Sequence, residues 1–419
     1  MLKNYIMVAW KVFLRRKFFT FVNLFGISIT LTVVMLALTL LNGYIYPSGP
    51  EKNASNFVTF ERLTLTNDDH SNTNSGRPGF RFLNNNINLL KLPELVSYAT
   101  VVQHTNTFKE NKKFSYKTRY TDANYWKVLD FNFIQGRPFN DEEIERGDMA
   151  VVIDLNTALS HFKDAASALG KNLMLGEQQF TIIGIVDNVS AIENIAFANA
   201  WLPYTTMTST AYQLHEMDNW LAILYHSDSN KITAIQQEFV DQLKNNLQIS
   251  RRHDYSEAYA GAYTKLEAVA SDMFAGTYEY EYKSGVGILI TLLTVFTLVF
   301  MTLPSINMIN INISRIYERA SEIGVRKAFG ASSNQLISQF VIENMLLTLI
   351  GGLVAMTLTY LIIQAIELSG ILPFLDIAFN FRFFAWGLLA IVVMSLLSGT
   401  YPAIKMSRLN PALSLKGGN

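Results

Sequence analysis

A mostly polar stretch of about 240 residues, roughly 45 to 285, lies between two long apolar runs, and two further apolar runs follow it. The runs are Phe18–Tyr44, Gly285–Asn307, Phe340–Ile366 and Phe383–Ile404, and none holds a string of charges. A hydrocarbon core about 30 Å thick needs roughly 20 helical residues, which each run supplies. The expected fold is therefore an α-helical membrane protein with four transmembrane helices and a large α/β extracytoplasmic domain between the first two. The first run is too long, and too far from a small-residue cleavage site, for a signal peptide, so it reads as a permanent span.

Basic residues in the short loops set the orientation. Lys3, Lys11, Arg15, Arg16 and Lys17 precede the first span without an acid. Arg315, Arg319, Arg326 and Lys327 lie between the second and third spans, against Glu318 and Glu322. Lys405, Arg408 and Lys416 follow the fourth. These segments read as cytoplasmic. Of 34 basic and 34 acidic residues, 13 and 5 lie outside the insert, which leaves it 21 basic and 29 acidic, a net of about −8. The formal net charge of zero hides this split, and the insert reads as extracytoplasmic. So does the short loop at 367–382.

The chain has no cysteine, so an extracytoplasmic domain of this size must rely on its own core rather than on disulfides. Some 240 residues suffice for one or two cores. The six histidines (His70, His104, His161, His215, His226, His253) show no i, i+3 or i+4 pair, and no metal site is expected.

Within the insert, residues 57–65 alternate like a strand, and the Asn/Asp/Ser/Gly-rich segment 66–79 reads as a mobile loop. Residues 86–108 give a helix then a strand, with a loop at Pro93. From 112 to 210 the text is β-rich, with short runs at Phe114–Tyr120, Ala150–Ile153 and Phe180–Val186. Trp220–Tyr225 reads as a strand. Ile232–Leu247 reads as an amphipathic helix with Ile232, Ile235, Phe239 and Leu243 on one face. Tyr255–Tyr282 is expected to lead helically into the second span. The flanking pieces look like halves of one lobe, and the middle piece like a second lobe inserted into it.

No G-x-x-x-x-G-K-[ST] is present, so hydrolysis of ATP by a P-loop is excluded for this sequence. G-x-S-x-G and H-E-x-x-H are absent as well. Asp141, Glu142 and Glu143, after Gly136-Arg137-Pro138, read as a solvated turn or helix start rather than a catalytic cluster. The strongest local signal is Arg315–Gln335. Glu322 with Arg326, and Val325 with Phe329, are i, i+4 pairs that support a short helix. Gly330 fits the position just past its end. Ser332 and Gln335 form a capping box that opens the next helix. The product is a basic helical elbow in the cytoplasm; an ordinary hairpin anchored to anionic lipid is the plainer alternative. At the N-terminus, Leu2, Tyr5, Ile6, Ala9, Trp10 and Phe13 share one helical arc, opposite Lys3, Asn4, Lys11 and Arg15, as in an interfacial helix. Ser/Thr residues of the first span (Thr20, Ser28, Thr30, Thr32, Thr39), the cluster Asn307, Asn310 and Asn312 after Pro304, and Gly351-Gly352 read as helix-to-helix contacts. Glu343 reads as interfacial.

These residues resemble the permease subunits of the MacB/FtsX superfamily of ABC transporters (type VII, the mechanotransmission class). The run E-I-G-V-R-K-A-F-G-A-S from Glu322 to Ser332 looks like that family's signature, continued by Phe340 and Glu343. Tyr401-Pro402-Ala403 and Leu409-Asn410-Pro411-Ala412-Leu413 look like its closing pattern, and Asn4–Asn23 with Asn23–Gly26 fits its opening. Tyr125-Trp126, Gly136-Arg137-Pro138-Phe139, Ala150–Ile153 and Phe180–Val186 resemble its periplasmic domain. The resemblance implies a cytoplasmic N-terminal helix (1–17), spans at 18–44, 285–307, 340–366 and 383–404, and a cytoplasmic tail (405–419). It implies a MacB-like periplasmic core at 45–284, with a porter lobe at about 45–110 and 215–284 and a sabre lobe at about 111–214. Residues 308–339 would be the coupling loop, in which Glu322, Ile323, Val325, Arg326, Lys327, Ala328, Phe329 and Gly330 dock on an ATPase. MacB fuses its ATPase to the permease; here only 17 residues precede the first span, so the ATPase is expected on a separate chain. The implied partners are that ABC-type ATPase, a second permease copy (identical or related), a periplasmic adaptor and membrane lipid, with no nucleic acid. No cofactor is expected on this chain, ATP and Mg being held by the partner. The implied function is transmission of ATP-driven motion to the outer domain, for export or extraction of a peptide, lipoprotein or hydrophobic compound. The alternative is an FtsX-like activator of an extracytoplasmic cell-wall hydrolase. A ligand-binding receptor would need a larger cytoplasmic module than these loops offer.

Overall fold

The computed structural model describes residues 2–109, 112–162, 164–250, 255–274, 285–318, 325, 329, 332–371, 374, 385–387, 389, 392, 393 and 396. The chain divides into two compact units, one of Met1–Leu41, Thr291–Gly370 and Ala378–Asn419, the other of Asn42–Ile290 and Ile371–Ile377.

Among the described residues, three helices are long and apolar enough to cross a membrane. They are α2 (Lys17–Ile45), the first part of α10 (Val286–Glu318) and most of α11 (Ser333–Leu368). Their apolar stretches have mean hydropathies of 2.4, 2.5 and 2.2. The fourth run falls mainly outside the described residues; Ala385–Gly387, Leu389, Val392, Val393 and Leu396 are helical. Helix α1 (Leu2–Arg15) precedes α2. It buries Ala9 and Phe13 in a cluster with Ile27 and Leu31 of α2 and Leu347 and Ala355 of α11. Ile6, Met7 and Trp10 stay exposed. Only one edge of the expected interfacial arc is thus turned to protein. Glu343, read as interfacial at the start of the third span, is 2% exposed. Helix α11 begins ten residues before it, so Glu343 lies in the third turn of the helix, near the start of its apolar stretch.

The second unit is built on a ten-stranded mixed sheet ordered β1-β12-β4-β6-β11-β8-β10-β7, with β5 on β6 and β9 on β10. Its strands are β1 (Phe57–Phe60), β4 (Leu95–Thr100), β5 (Gln103–Lys109), β6 (Lys112–Thr121), β7 (Phe133–Gly136), β8 (Ala150–Asp154), β9 (Asn172–Leu175), β10 (Gln178–Val186), β11 (Ala200–Pro203) and β12 (Trp220–Tyr225). A three-stranded sheet pairs β2 (Leu63–Thr66) with β3 (Thr73–Gly76) and β13 (Glu257–Ala260). Helix α8 (Ile232–Asn245) buries Ile232, Ile235, Phe239 and Leu243, the face its period marks. They join Val58, Phe60, Phe82 and Trp220 in one core. A second core gathers Phe57, Tyr125, Phe139, Val186 and Trp201, and a third Val151, Ile153, Phe180 and Ile182. Glu143 belongs to the short helix α5 (Asp141–Arg146), where it completes a capping box with Asn140 and is gripped by Arg137 at 2.7 Å.

Four expectations for the insert change. Residues 57–65 are two strands in two sheets, broken at Glu61-Arg62, and both are fully buried instead of alternating. The segment 66–79 contains β3, because Thr66 and Thr73 join hydroxyls at 2.8 Å and Thr64 and Ser75 at 2.9 Å across the ladder. Of Tyr255–Tyr282, residues 257–260 are a strand and Lys265–Phe274 is helix α9. The helix expected from 86 lies earlier, as α3 (Phe80–Asn86).

Candidate functional site

Of the expected elbow residues, Val325 and Phe329 are described; Glu322, Ile323, Arg326, Lys327, Ala328 and Gly330 lie outside the described residues. Phe329 donates its backbone N–H to the Val325 carbonyl at 3.0 Å, a single helical turn. Both side chains face outward, Val325 43% and Phe329 86% exposed. Ser332 and Gln335 make the expected capping box: the Ser332 hydroxyl accepts from the Gln335 N–H, and the Gln335 side chain from the Ser332 N–H at 3.2 Å. The side chains of Asn307, Asn310 and Asn312 lie outside the described set.

In the first unit, α2 and α11 are held by small residues and hydroxyls, as their sequences suggest. Ser28 donates to the Gly351 carbonyl at 3.1 Å, and Thr32 donates to Ser28 at 2.7 Å and reaches Ala355 at 3.4 Å. Each step advances four residues on both helices, so the two run in the same direction. A Cβ on Gly351 would lie 2.7 Å from Cγ2 of Ile27, which explains glycine there.

The second unit holds a buried charge cluster that sequence reasoning missed. Glu51 is fully buried, Lys265 is 5% exposed and Glu193 is 2% exposed. The Lys265 ammonium contacts the Glu51 carboxylate and lies 5.0 Å over the ring of Tyr44, in the last turn of α2. The other oxygen of Glu51 accepts the N–H groups of Ile195 and Ala196 at 2.8 and 2.7 Å. Glu193 accepts from the N–H groups of Gly49 and Glu51 at 2.9 and 3.2 Å. Burial pushes the Glu193 carboxyl up to about 7, and the neighbouring Glu51 charge adds to this. Beside the cluster, Tyr44, Glu61, Arg62, Arg77 and Asp272 line a polar cavity of about 290 Å³. No group of histidines and carboxylates suited to a metal ion occurs among the described residues.

The family profile described as "MacB-like periplasmic core domain" matches residues 20–242, and "FtsX-like permease C-terminal" matches residues 286–411. "Macrolide export ATP-binding/permease protein MacB" of Salmonella paratyphi A and of Escherichia coli K12 are each 28% identical to this chain over 298 residues. Those alignments cover 70% of this chain and 42% of either relative, so the chain spans less than half the length of the curated relatives it matches. Among solved structures, the periplasmic region of MacB from Actinobacillus actinomycetemcomitans matches with 17% identity and a TM-score of 0.34, over 48% of this chain and 88% of that one. The two profiles and the apolar helices fit an inner-membrane protein with an extracytoplasmic domain. The chain belongs to the MacB/FtsX-like family of ABC transporter permeases.

Proposed function

We propose that this chain is a permease subunit that passes ATP-driven motion from an ATPase on a separate chain to its outer domain. The observation that carries the reading is the succession of the two family matches, core domain then permease, along one chain. In this reading the chain crosses the membrane four times and works beside a second permease copy. ATP closes the ATPase dimer and draws the elbows together. Residues 322–330 dock on the ATPase, and the exposed Phe329 is the large apolar group available to fill a pocket there. The first and second spans carry the movement to the outer domain. The work done is export or extraction of a peptide, lipoprotein or hydrophobic compound; the curated relatives are named for macrolide export.

The test is purification of the native complex and identification of its companions. An ATPase should co-purify, and ATP hydrolysis should require it. Turnover by the isolated chain at rates usual for ABC ATPases, about 1 s⁻¹ or more on the general enzyme scale, would refute the reading. An adaptor or outer-membrane channel among the companions supports transport. A cell-wall hydrolase in their place supports the FtsX-like regulator.

A further inference from the structure

We propose that Glu51, Glu193 and Lys265 are positioning residues that lock the two membrane-proximal ends of the outer domain to the loop 187–199, so that movement entering at either end reaches the central sheet as one. The proposal rests on the motion-transmitting reading above.

Four segments meet at this cluster. The first is the last turn of α2, through Tyr44 under the Lys265 ammonium. The second is the chain just beyond it, Gly49–Glu51, whose N–H groups are held by Glu193. The third is α9, which Lys265 begins. The fourth is the irregular loop 187–199, held through Ile195 and Ala196 by Glu51. The bracing is reciprocal: residue 51 grips the loop with its side chain, and the loop grips residues 49–51 with Glu193. Helix α9 in turn packs closely against the residue that precedes α10. Gly285, just before α10, has φ +82°, and a Cβ there would come within 2.8 Å of the Ala270 carbonyl and of Cβ of Phe274. The first membrane-proximal end thus meets the cluster directly, through Tyr44 and Gly49–Glu51, and the second meets it through α9, against which Gly285 lies closely.

The far side of the loop is tied to the sheet by equally directional bonds. Arg119 of β6, 1% exposed, donates to the Asn194 carbonyl at 2.7 Å and to Thr100 of β4 at 2.9 Å. Tyr125 donates its hydroxyl to the Ile195 carbonyl at 2.7 Å. The loop is therefore clamped between charges from the membrane-proximal segments and donors from β6 and from the short helix Tyr125–Val128 that follows it.

Stability alone is a poor reason for such an arrangement. Burying an ion pair costs desolvation that its attraction barely offsets, and apolar side chains of equal volume often do as well. What apolar contacts lack is direction. They slide under shear, whereas charge-assisted hydrogen bonds to fixed backbone N–H groups resist displacement. A joint that transmits a pull needs the second kind.

The test uses the full chain in lipid nanodiscs with its co-purified ATPase. Hydrogen exchange of peptides covering 187–199 is followed with ATP plus vanadate and without nucleotide. The wild type should show a nucleotide-dependent change there. Lys265→Met should abolish that change while ATP hydrolysis persists, because no residue of this cluster lies in the proposed docking segment 322–330. Lys265→Arg, which keeps the charge, should restore it. A purely structural role predicts faster exchange in both states with the nucleotide-dependent difference intact, and that result overturns the proposal. If Lys265→Met does not accumulate as folded protein, Glu51→Gln, which keeps its acceptor for Ile195 and Ala196, is read by the same criterion. No change in the wild type would instead refute the motion-transmitting reading itself.

Discussion

Replacing Phe329 by alanine tests the elbow at its most exposed apolar group. An aromatic side chain buries about 150–250 Å² when fully covered. With Phe329 86% exposed, most of that area is available to a partner. At about 25 cal/mol per Å² this sets a ceiling of roughly 3–5 kcal/mol. Ordering costs, and the Cβ that alanine keeps, reduce the expected loss to about 2–4 kcal/mol, the scale of an interface hot spot. That is a drop of roughly 30- to 1,000-fold in affinity for the ATPase. Arg326→Ala should cost less than about 1 kcal/mol, because exposed ion pairs contribute little. A hairpin held only by anionic lipid predicts the reverse order, with the lost positive charge hurting and the lost ring not. The assay is co-purification of the ATPase with each variant, at matched expression and membrane insertion, followed by ATP hydrolysis. Full binding and full coupled activity in Phe329→Ala would refute the assignment of this side chain as the anchor.

In a chain without cysteine, Ser71→Cys and Ser333→Cys should react oppositely with a membrane-impermeant thiol reagent on cells whose outer surface is accessible; labelling of position 333 alone would invert the topology. Gly351→Val should destabilise the α2–α11 contact by about 1–3 kcal/mol through overpacking against Ile27, seen as a lower melting temperature of the detergent-solubilised protein; an unchanged melting temperature would contradict the close contact. Glu193 faces the Glu51 carboxylate, the Lys265 ammonium and the N–H groups of Gly49 and Glu51, and its carboxyl is raised from 4.5 to about 7. Between those values the folded state keeps a proton that the unfolded chain has released, so stability falls as pH rises through this window. Thermal melting at pH 5.5 and 7.5 should show the wild type favoured at the lower pH and a smaller difference in Glu193→Gln; Asp122, raised to about 6 mainly by burial, contributes in the same direction and remains in the variant.

Apolar length was readable because it is a local property: α2 matches its expected run to within one residue at each end, and α10 and α11 carry theirs with polar turns added on the side of the loop between them. The period of α8 was equally local. The failures came from long-range partners. Glu61-Arg62 looks like part of one strand until the flanking residues are seen to pair with β12 on one side and with β3 and β13 on the other. The Asn/Ser/Gly composition of 66–79 says nothing of the hydroxyl pairs that zip β2 to β3.

The Glu51–Lys265 pair is the sharpest case. Nothing in Pro50-Glu51-Lys52 distinguishes a buried charge from a solvated one, and the apolar neighbours of Glu193 (Ala191, Ile192, Ile195, Ala196) hint at burial without naming a partner. The three residues share no spacing, being separated by more than 70 positions at each step, so no motif search joins them. What could have raised suspicion is topological. A domain inserted between two membrane helices must close its own ends on each other, and in an extracytoplasmic domain without disulfides that closure has to come from packing or from polar side chains. Charged residues just after the first span and shortly before the second, such as Glu51 and Lys265, are therefore the first pair to test in any chain of this layout. The structure adds that the closure is not merely end to end. It runs through loop 187–199, which Arg119 binds to the central sheet and Tyr125 to the short helix that follows β6, and in the proposed joint the same three side chains that close the domain would also pass movement to it.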